Sequence, residues 1–217
     1  MYMFIRGAQV FIIVLTLIYC YRKRHKLKLN HYMKNFYWYP LLGSGVGLIW
    51  VLGIINVVPE SFFNYLNALS LVFHFSFLSS FIFKVVLDKD LQTYLLVIFW
   101  TFQILIAFSL FRDFHKNAST SFVLTNLGLF LFCIVFYSDL LKYNPDYSLF
   151  KEPSFWIVTG IFCGASCNVP ILLFGKHLFD ISKDLYRNVG WLAPFGYIVM
   201  YLFFLKGLRC SIPIPKK

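Results

Sequence analysis

Long apolar segments fill most of this chain, and short polar segments separate them. Each segment is a continuous apolar run, whereas a strand of a transmembrane barrel alternates apolar and polar positions. A helix needs about 20 apolar residues to cross the hydrocarbon core of a bilayer. The pattern therefore predicts an all-α protein, a single domain over residues 1–217 that forms a polytopic bundle of seven transmembrane helices. The predicted spans are residues 3–21, 40–58, 62–83, 92–111, 120–141, 154–174 and 188–205.

The positions of the basic residues predict the orientation of these spans. Basic residues beside a span are retained on the cytoplasmic side of the membrane. If the N-terminus lies outside, the inner segments carry fourteen of the 20 Lys and Arg residues, and the C-terminus lies inside. We therefore expect a multi-pass protein of the bacterial inner (cytoplasmic) membrane, oriented N-out and C-in. The six outer basic residues are Arg6, Arg112, Lys116, Lys176, Lys183 and Arg187.

The composition agrees with a membrane location and leaves little room for a soluble domain. Hydrophobic residues make up 59% of the chain and charged residues 13%, and the mean hydropathy is +0.71. A net charge of +11 is also typical of nucleic-acid-binding proteins. Here, however, the basic residues flank the spans, where anionic lipid headgroups attract them. We expect membrane lipids as partners and no nucleic acid.

A few uncharged polar side chains lie within the predicted spans. Asn67 and His74 are seven residues apart and so share one face of a helix. If the faces converge, these side chains line a polar pocket that opens outward. As an alternative, they only fasten helices to each other, at about 0.6–2 kcal/mol per hydrogen bond. The candidate ligand-binding residues are Asn67, His74, Gln103, Asn126 and Asn168.

Glycines and prolines suggest where the helices pack and where they bend. Glycines four residues apart let two helix backbones approach closely, either within the bundle or between subunits. A proline in a helix frees the carbonyl group four residues before it and usually kinks the helix. The candidate packing residues are Gly43, Gly47, Gly160 and Gly164, and the candidate kinks are Pro170 and Pro194.

Two further features concern the membrane interface. Residues 175–187 mix charged and apolar positions at amphipathic spacing, which predicts a short interfacial helix in an outer loop. Trp38 and Tyr39 precede the second predicted span, where we expect them in the belt of aromatic residues at the membrane surface.

No pattern in the chain indicates catalysis or a bound cofactor. The motifs of zinc proteases, serine hydrolases and nucleotide-binding loops are absent from the sequence. His74 is the one histidine near the centre of a span, whereas a membrane haem b normally needs two. Cys163 and Cys167 lie one helical turn apart, and packing against a neighbouring helix accounts for them better than a metal does. We expect a non-enzymatic protein with no cofactor and no metal.

Two short motifs resemble a known group of proteins. Residues 150–160 read FKEPSFWIVTG and are similar to the EPxFWIxxG entry into a late span of small seven-helix inner-membrane proteins of Bacteroidota. Residues 64–67 (NYLN), followed by a Phe- and Ser-rich span that ends in Phe83 and Lys84, are similar to the third span of those proteins. Such proteins are often thought to be encoded near histidine kinases. The resemblance implies a membrane sensor or accessory subunit that signals to a separate kinase.

These observations favour a sensor or signalling subunit whose outward polar pocket is coupled to a partner in the membrane or at its cytoplasmic face, for example a histidine kinase. A structural or accessory subunit of a larger secretion, motility or respiratory complex is the first alternative. A transporter of a neutral or lipid-like solute is the second, although no internal repeat of the kind common in transporters is visible.

Overall fold

The computed structural model describes residues 2–27, 36, 38–39, 60–112, 119–143 and 149–210. Seven α-helices and one short 3-10 turn, Leu149–Lys151, make up this part of the chain, and it contains no strand. The predicted all-α class is therefore confirmed for the described residues. The helices are α1 Tyr2–Leu27, α2 Glu60–Val85, α3 Lys89–Arg112, α4 Ser119–Tyr143, α5 Pro153–Ile181, α6 Lys183–Val189 and α7 Leu192–Cys210.

Four helical segments of the described chain are long and apolar enough to cross a membrane. They are Lys89–Arg112, Thr120–Lys142, Pro153–Gly175 and Lys183–Cys210, and α2 adds a shorter apolar stretch, Leu69–Val85. These segments coincide with the third to seventh predicted spans, and α1 covers the first. The second predicted span, residues 40–58, lies outside the described residues.

The helices pack around one hydrophobic core. α7 lies between α5 and α1, α4 packs on the other side of α5, and α3 and α2 both pack against α4. Phe36 and Tyr39 contribute to the core from the segment before the second predicted span and are buried between α2 and α7. Neighbours in space are thus not always neighbours in the chain, since α1 and α7 come from opposite ends of it.

Glycines allow α5 and α7 to approach each other backbone to backbone. A Cβ atom added to Gly160 would lie 2.8 Å from the carbonyl oxygen of Met200, and one added to Gly196 would lie 2.6 Å from Cβ of Cys167. Gly164 faces the Met200 side chain. The face that carries Gly160 and Gly164 is therefore occupied by α7 of the same chain. Gly43 and Gly47 lie outside the described residues.

The two prolines occupy different positions in their helices. Pro170 lies inside α5, where it removes the N–H that would donate to the carbonyl of Ser166. Pro194 lies in the first turn of α7, because that helix begins at Leu192 rather than at residue 188. The first turn has no N–H partner within its own helix, so a proline there requires no kink.

Hydrogen bonds attach the turn between α2 and α3 to the end of α4. The carboxylate of Asp139 accepts hydrogen bonds from the backbone N–H groups of Leu87 and Asp88, at 2.9 and 3.1 Å. Asp88 in turn pairs with the ammonium group of Lys142 at 2.7 Å. Asp139 is 3% exposed, so this charge at the end of a span is held by protein amides.

Helix α5 is longer than a membrane crossing requires. Its 29 residues extend for about 43 Å at 1.5 Å per residue, against about 30 Å of hydrocarbon. The short helix α6 then folds back along the end of α5, with the Phe179 and Tyr186 rings 5.7 Å apart. The Ser182 hydroxyl caps α6 by accepting from the N–H of Leu185. A short helix thus occurs in the segment for which the sequence predicts one.

Candidate functional site

A buried polar contact joins His74 of α2 to the segment before the second predicted span. The Nδ1 atom of His74 and the hydroxyl of Tyr39 are joined by a hydrogen bond of 2.8 Å. Tyr39 is 3% exposed, and its ring also stacks on that of Tyr201 of α7. Polar groups inside a membrane bundle need partners because no water replaces a missing hydrogen bond. His74 and Tyr39 supply such partners to each other, and Tyr201 lies against Tyr39 from a third segment.

Aromatic rings surround this polar group. The Tyr39 ring stacks on Tyr201 with centroids 6.1 Å apart, and it contacts the edge of Phe204 at 5.6 Å. Phe36 fills the space one turn away and lies 5.0 Å from both Phe81 and Phe204. Tyr197 approaches the His74 ring edge-on at 6.4 Å. Edge-on and offset contacts at these distances are favourable, so the rings hold the junction of α2, α7 and the 36–39 segment in one arrangement.

The position of Tyr39 differs from the sequence-based expectation. Its partner His74 lies ten residues before Lys84, which corresponds to about 15 Å along the helix and about half the thickness of the hydrocarbon. Tyr39 is therefore buried among the helices, and if Lys84 lies at the membrane surface, Tyr39 lies deeper than the aromatic belt expected from the sequence. Trp38, by contrast, is 51% exposed. Of the described residues just before the second predicted span, Phe36 and Tyr39 pack inside the bundle.

Gln103 of α3 bonds to α2 on a different side from His74. Its side-chain amide donates to the hydroxyl of Ser76. Positions 74 and 76 point about 200° apart around a helix of 3.6 residues per turn. His74 and Gln103 therefore lie on opposite sides of α2, and each fastens that helix to a different neighbour.

Asn126 and Asn168 bond within their own helices. The amide nitrogen of Asn126 donates to the carbonyl of Phe122, and that of Asn168 donates to the carbonyl of Gly164, both at 2.8 Å. Both side chains are buried. The backbone of Asn67 lies in α2, on the residues that the structure describes, and its side chain is outside that description.

One polar atom of this candidate set is buried without a hydrogen-bond partner. It is Oδ1 of Asn168, and the hydroxyl of Ser166 is in the same condition. Pro170 also takes away the N–H that the Ser166 carbonyl would normally accept from. A buried acceptor without a donor costs about 1–3 kcal/mol. The part of α5 before Pro170, which packs beside α7, therefore contains hydrogen-bond acceptors that have no donor.

The candidate residues thus fall into separate groups rather than one described cavity. His74 forms the junction with Tyr39 and Tyr201, Gln103 joins α3 to α2, and Asn168 offers an unused acceptor on α5. The sequence pattern does not single out Tyr201 or Ser76, and it assigns Tyr39 only to the membrane surface. The sequence shows that the tyrosine side chains are polar at one end and apolar at the other. It does not show the contacts of these residues, because the contacts join segments that are far apart in the chain.

The described residues hold no cluster of three or more His, Cys, Asp or Glu side chains that could bind a metal ion. The five cysteines are all free thiols, and Cys133 points at the backbone carbonyl of Val158, 3.7 Å away. Cys20 and Cys133 are buried, and Cys167 packs against Gly196 of α7.

Comparison with known proteins returned no match among family models, curated proteins or solved structures.

Proposed function

We propose that this protein is a non-enzymatic sensor or signalling subunit of the bacterial inner membrane. It would have seven transmembrane helices, with the N-terminus outside and the C-terminus inside. The observation that carries this proposal is the buried hydrogen bond between Tyr39 and His74, together with the stacking of the Tyr39 ring on Tyr201. These contacts connect α2 to two segments that each lead directly to a basic stretch of the chain.

Contacts between helix ends support the alternating course of the chain. Leu87 and Asp88, after α2, bond to Asp139 near the end of α4, and Cys210, at the end of α7, lies beside Phe150 before α5. At the opposite end, Ser109 of α3 bonds to Ser121 of α4 at 2.6 Å. The end that collects Leu87, Cys210 and the end of α1 carries the denser basic residues. By the positive-inside rule that end faces the cytoplasm.

In this proposal the junction relays movement to two basic stretches of the chain. The 36–39 segment follows the basic stretch after α1, and α7 leads into the basic C-terminal residues. A shift of Tyr39 against His74 would therefore move both stretches at once. A ligand shifts such an equilibrium only if it binds the two conformations with different affinity.

Hydrogen-bond acceptors on α5 that have no donor would give a ligand this difference in affinity. In the described conformation the Asn168 Oδ1 atom is enclosed and accepts nothing. A ligand with a hydroxyl or amine donor would satisfy it only when α5 and α7 separate near Pro170. Such a ligand would favour the separated conformation and so act as the signal.

A pull-down from the native membrane tests the proposal. The tagged protein is isolated in nanodiscs, and co-purifying molecules are identified by mass spectrometry. Recovery of a histidine kinase or another signalling partner, lost in His74→Ala while the protein still accumulates, is the expected result. Tyr94→Phe on the exposed side of α3 is the matched control, since Tyr94 is 65% exposed. A signalling partner retained equally by His74→Ala and the control would contradict the role of the junction.

A structural or accessory subunit is a second candidate because of the exposure of α3. Trp100, Phe108 and Phe111 of that helix are 59%, 63% and 87% exposed, which suits another subunit as well as lipid. Recovery of a stoichiometric set of secretion, motility or respiratory subunits would favour this candidate and refute a separate sensor.

A further inference from the structure

The packing of α1 against α7 brings together two basic stretches from opposite ends of the chain. The two helices pack along each other, and Tyr19 near the end of α1 is within electrostatic range of Arg209 and Cys210 at the end of α7. Both helices run toward this end of the bundle, so Arg22 and Lys23 of α1 lie at the same end as Lys206 and Arg209 of α7. Described residues of two basic stretches that are far apart in the sequence thus share one end of the bundle.

The surface at this end carries basic side chains with very little opposing charge. Arg22, Lys206 and Arg209 are exposed, and Lys23 is half-buried. No Asp or Glu occurs in residues 1–59 or after Asp184. Glu152, at the start of α5, offsets one charge and is itself preceded by Lys151. Both helices also end here, and basic residues at helix C-termini are held in place by the helix dipole.

Aromatic side chains border the surface at the depth of the membrane interface. The ammonium group of Lys206 lies 5.5 Å from the centre of the Trp156 ring, and the Trp156 indole N–H donates to the carbonyl of Phe150 at 2.9 Å. The Phe150 side chain is 67% exposed. Exposed aromatic rings beside clustered cations suit a lipid. Its acyl chains would contact the rings on the membrane side, and its negatively charged headgroup would contact the cations at the membrane surface.

We propose that the joined ends of α1 and α7 bind an anionic phospholipid whose headgroup carries two phosphates. Two helix ends together supply four basic residues, Arg22, Lys23, Lys206 and Arg209, which favours a headgroup with two phosphates over one with a single phosphate. Clustered Lys and Arg residues just beyond a transmembrane helix attract such headgroups. The binding surface needs only that both ends lie on the same side of the membrane. It therefore stands independently of the sensor function.

Lipid titration of the purified full-length protein tests this inference. Cardiolipin (two phosphates), phosphatidylglycerol (one phosphate) and zwitterionic phosphatidylcholine are added in detergent, and bound lipid is counted by native mass spectrometry. We expect cardiolipin to bind most tightly and phosphatidylcholine least. The double variant Lys206→Gln/Arg209→Gln should bind cardiolipin about 30-fold more weakly. Each basic residue at a membrane surface contributes a similar amount to the free energy of binding, so the loss of two residues gives a change of this size.

The matched control removes two basic residues from the other end of the bundle. Lys183→Gln/Arg187→Gln should leave cardiolipin binding unchanged, because α6 lies far from the α1–α7 surface along the helix axis. Arg22→Gln/Lys23→Gln provides a second test if the α7 variant fails to fold. Equal weakening by the control, equal affinity for phosphatidylcholine, or displacement by inorganic phosphate at matched concentration would overturn the proposal. Tighter binding of an acidic polypeptide than of cardiolipin would assign the surface to a protein partner instead.

Discussion

The hydroxyl of Tyr39 and Nδ1 of His74 lie 2.8 Å apart although 35 residues separate them in the chain. Removal of the hydroxyl in Tyr39→Phe leaves the histidine without this partner in a buried position. We expect a loss of about 1–3 kcal/mol in the free energy of unfolding. Tyr94→Phe, on an exposed side chain, should change stability by less than about 0.5 kcal/mol. Unfolding in mixed detergent micelles measures both variants, and equal stability of the two would contradict the structural importance of this bond.

The glycine contact between α5 and α7 gives a second prediction. In Gly196→Ala the added methyl group would lie 2.6 Å from Cβ of Cys167, which forces the two helices apart. We expect a loss of about 1–3 kcal/mol in the free energy of unfolding. Gly7→Ala is the control, because no atom lies within 4 Å of its added Cβ. Alanine is favoured over glycine in helices by about 1 kcal/mol, so the control should be neutral or stabilised.

The pair of Asp88 and Lys142 predicts a dependence on acid. The hydrogen bond from Lys142, together with the backbone N–H groups of Asp90 and Leu91, holds the pKa of Asp88 below its ordinary value. The contribution of this carboxylate to stability is therefore complete above the unfolded pKa of about 3.9 and is lost as the pH falls through the lower folded pKa.

Thermal unfolding measured across this acidic range checks the prediction. Asp88→Asn should be less stable than the natural chain at neutral pH, and the difference should shrink as the pH falls below about 4. Asp184→Asn is the control, since that carboxylate is 85% exposed and pairs with Arg187 at 3.5 Å. A stability difference for Asp88→Asn that does not change with pH would show that the carboxylate charge is not the stabilising feature.

The orientation of the chain predicts which positions a membrane-impermeant thiol reagent reaches. In intact spheroplasts Lys183→Cys, in α6, should be labelled, and Lys151→Cys, at the opposite end of the bundle, should be labelled only after the membrane is opened. The unsubstituted chain, whose five cysteines are buried or half-buried, measures the background. The reverse labelling pattern would place the N-terminus inside.

Much of the helix framework follows from the sequence because each helix is a local structure. An apolar run of sufficient length forms a helix whatever its neighbours are, since every backbone group must bond within the segment. The predicted spans at residues 92–111 and 120–141 therefore agree with α3 and α4 to within a few residues. The boundary of the seventh predicted span is less accurate, because the Gly190–Trp191 turn breaks the apolar stretch between α6 and α7.

Less of the candidate site could be predicted from the sequence. His74, Gln103 and Asn168 stand out as polar residues in apolar spans, and the sequence alone can find them. Their partners cannot be found in this way. Ser76 and His74 are two residues apart yet bond to opposite sides of α2, and Tyr39 belongs to a segment that the apolar pattern assigns to the membrane surface.

The sequence by itself determined the all-helical class, the apolar segments and the uneven distribution of basic residues, because these depend on local composition. The tertiary structure decided which segments meet. Tyr39 bonds to His74, Gly160 packs against Met200, and the basic end of α1 lies near Arg209. Contacts of this kind depend on how helices distant in the chain rotate and pack against one another, and no local pattern of residues specifies that choice.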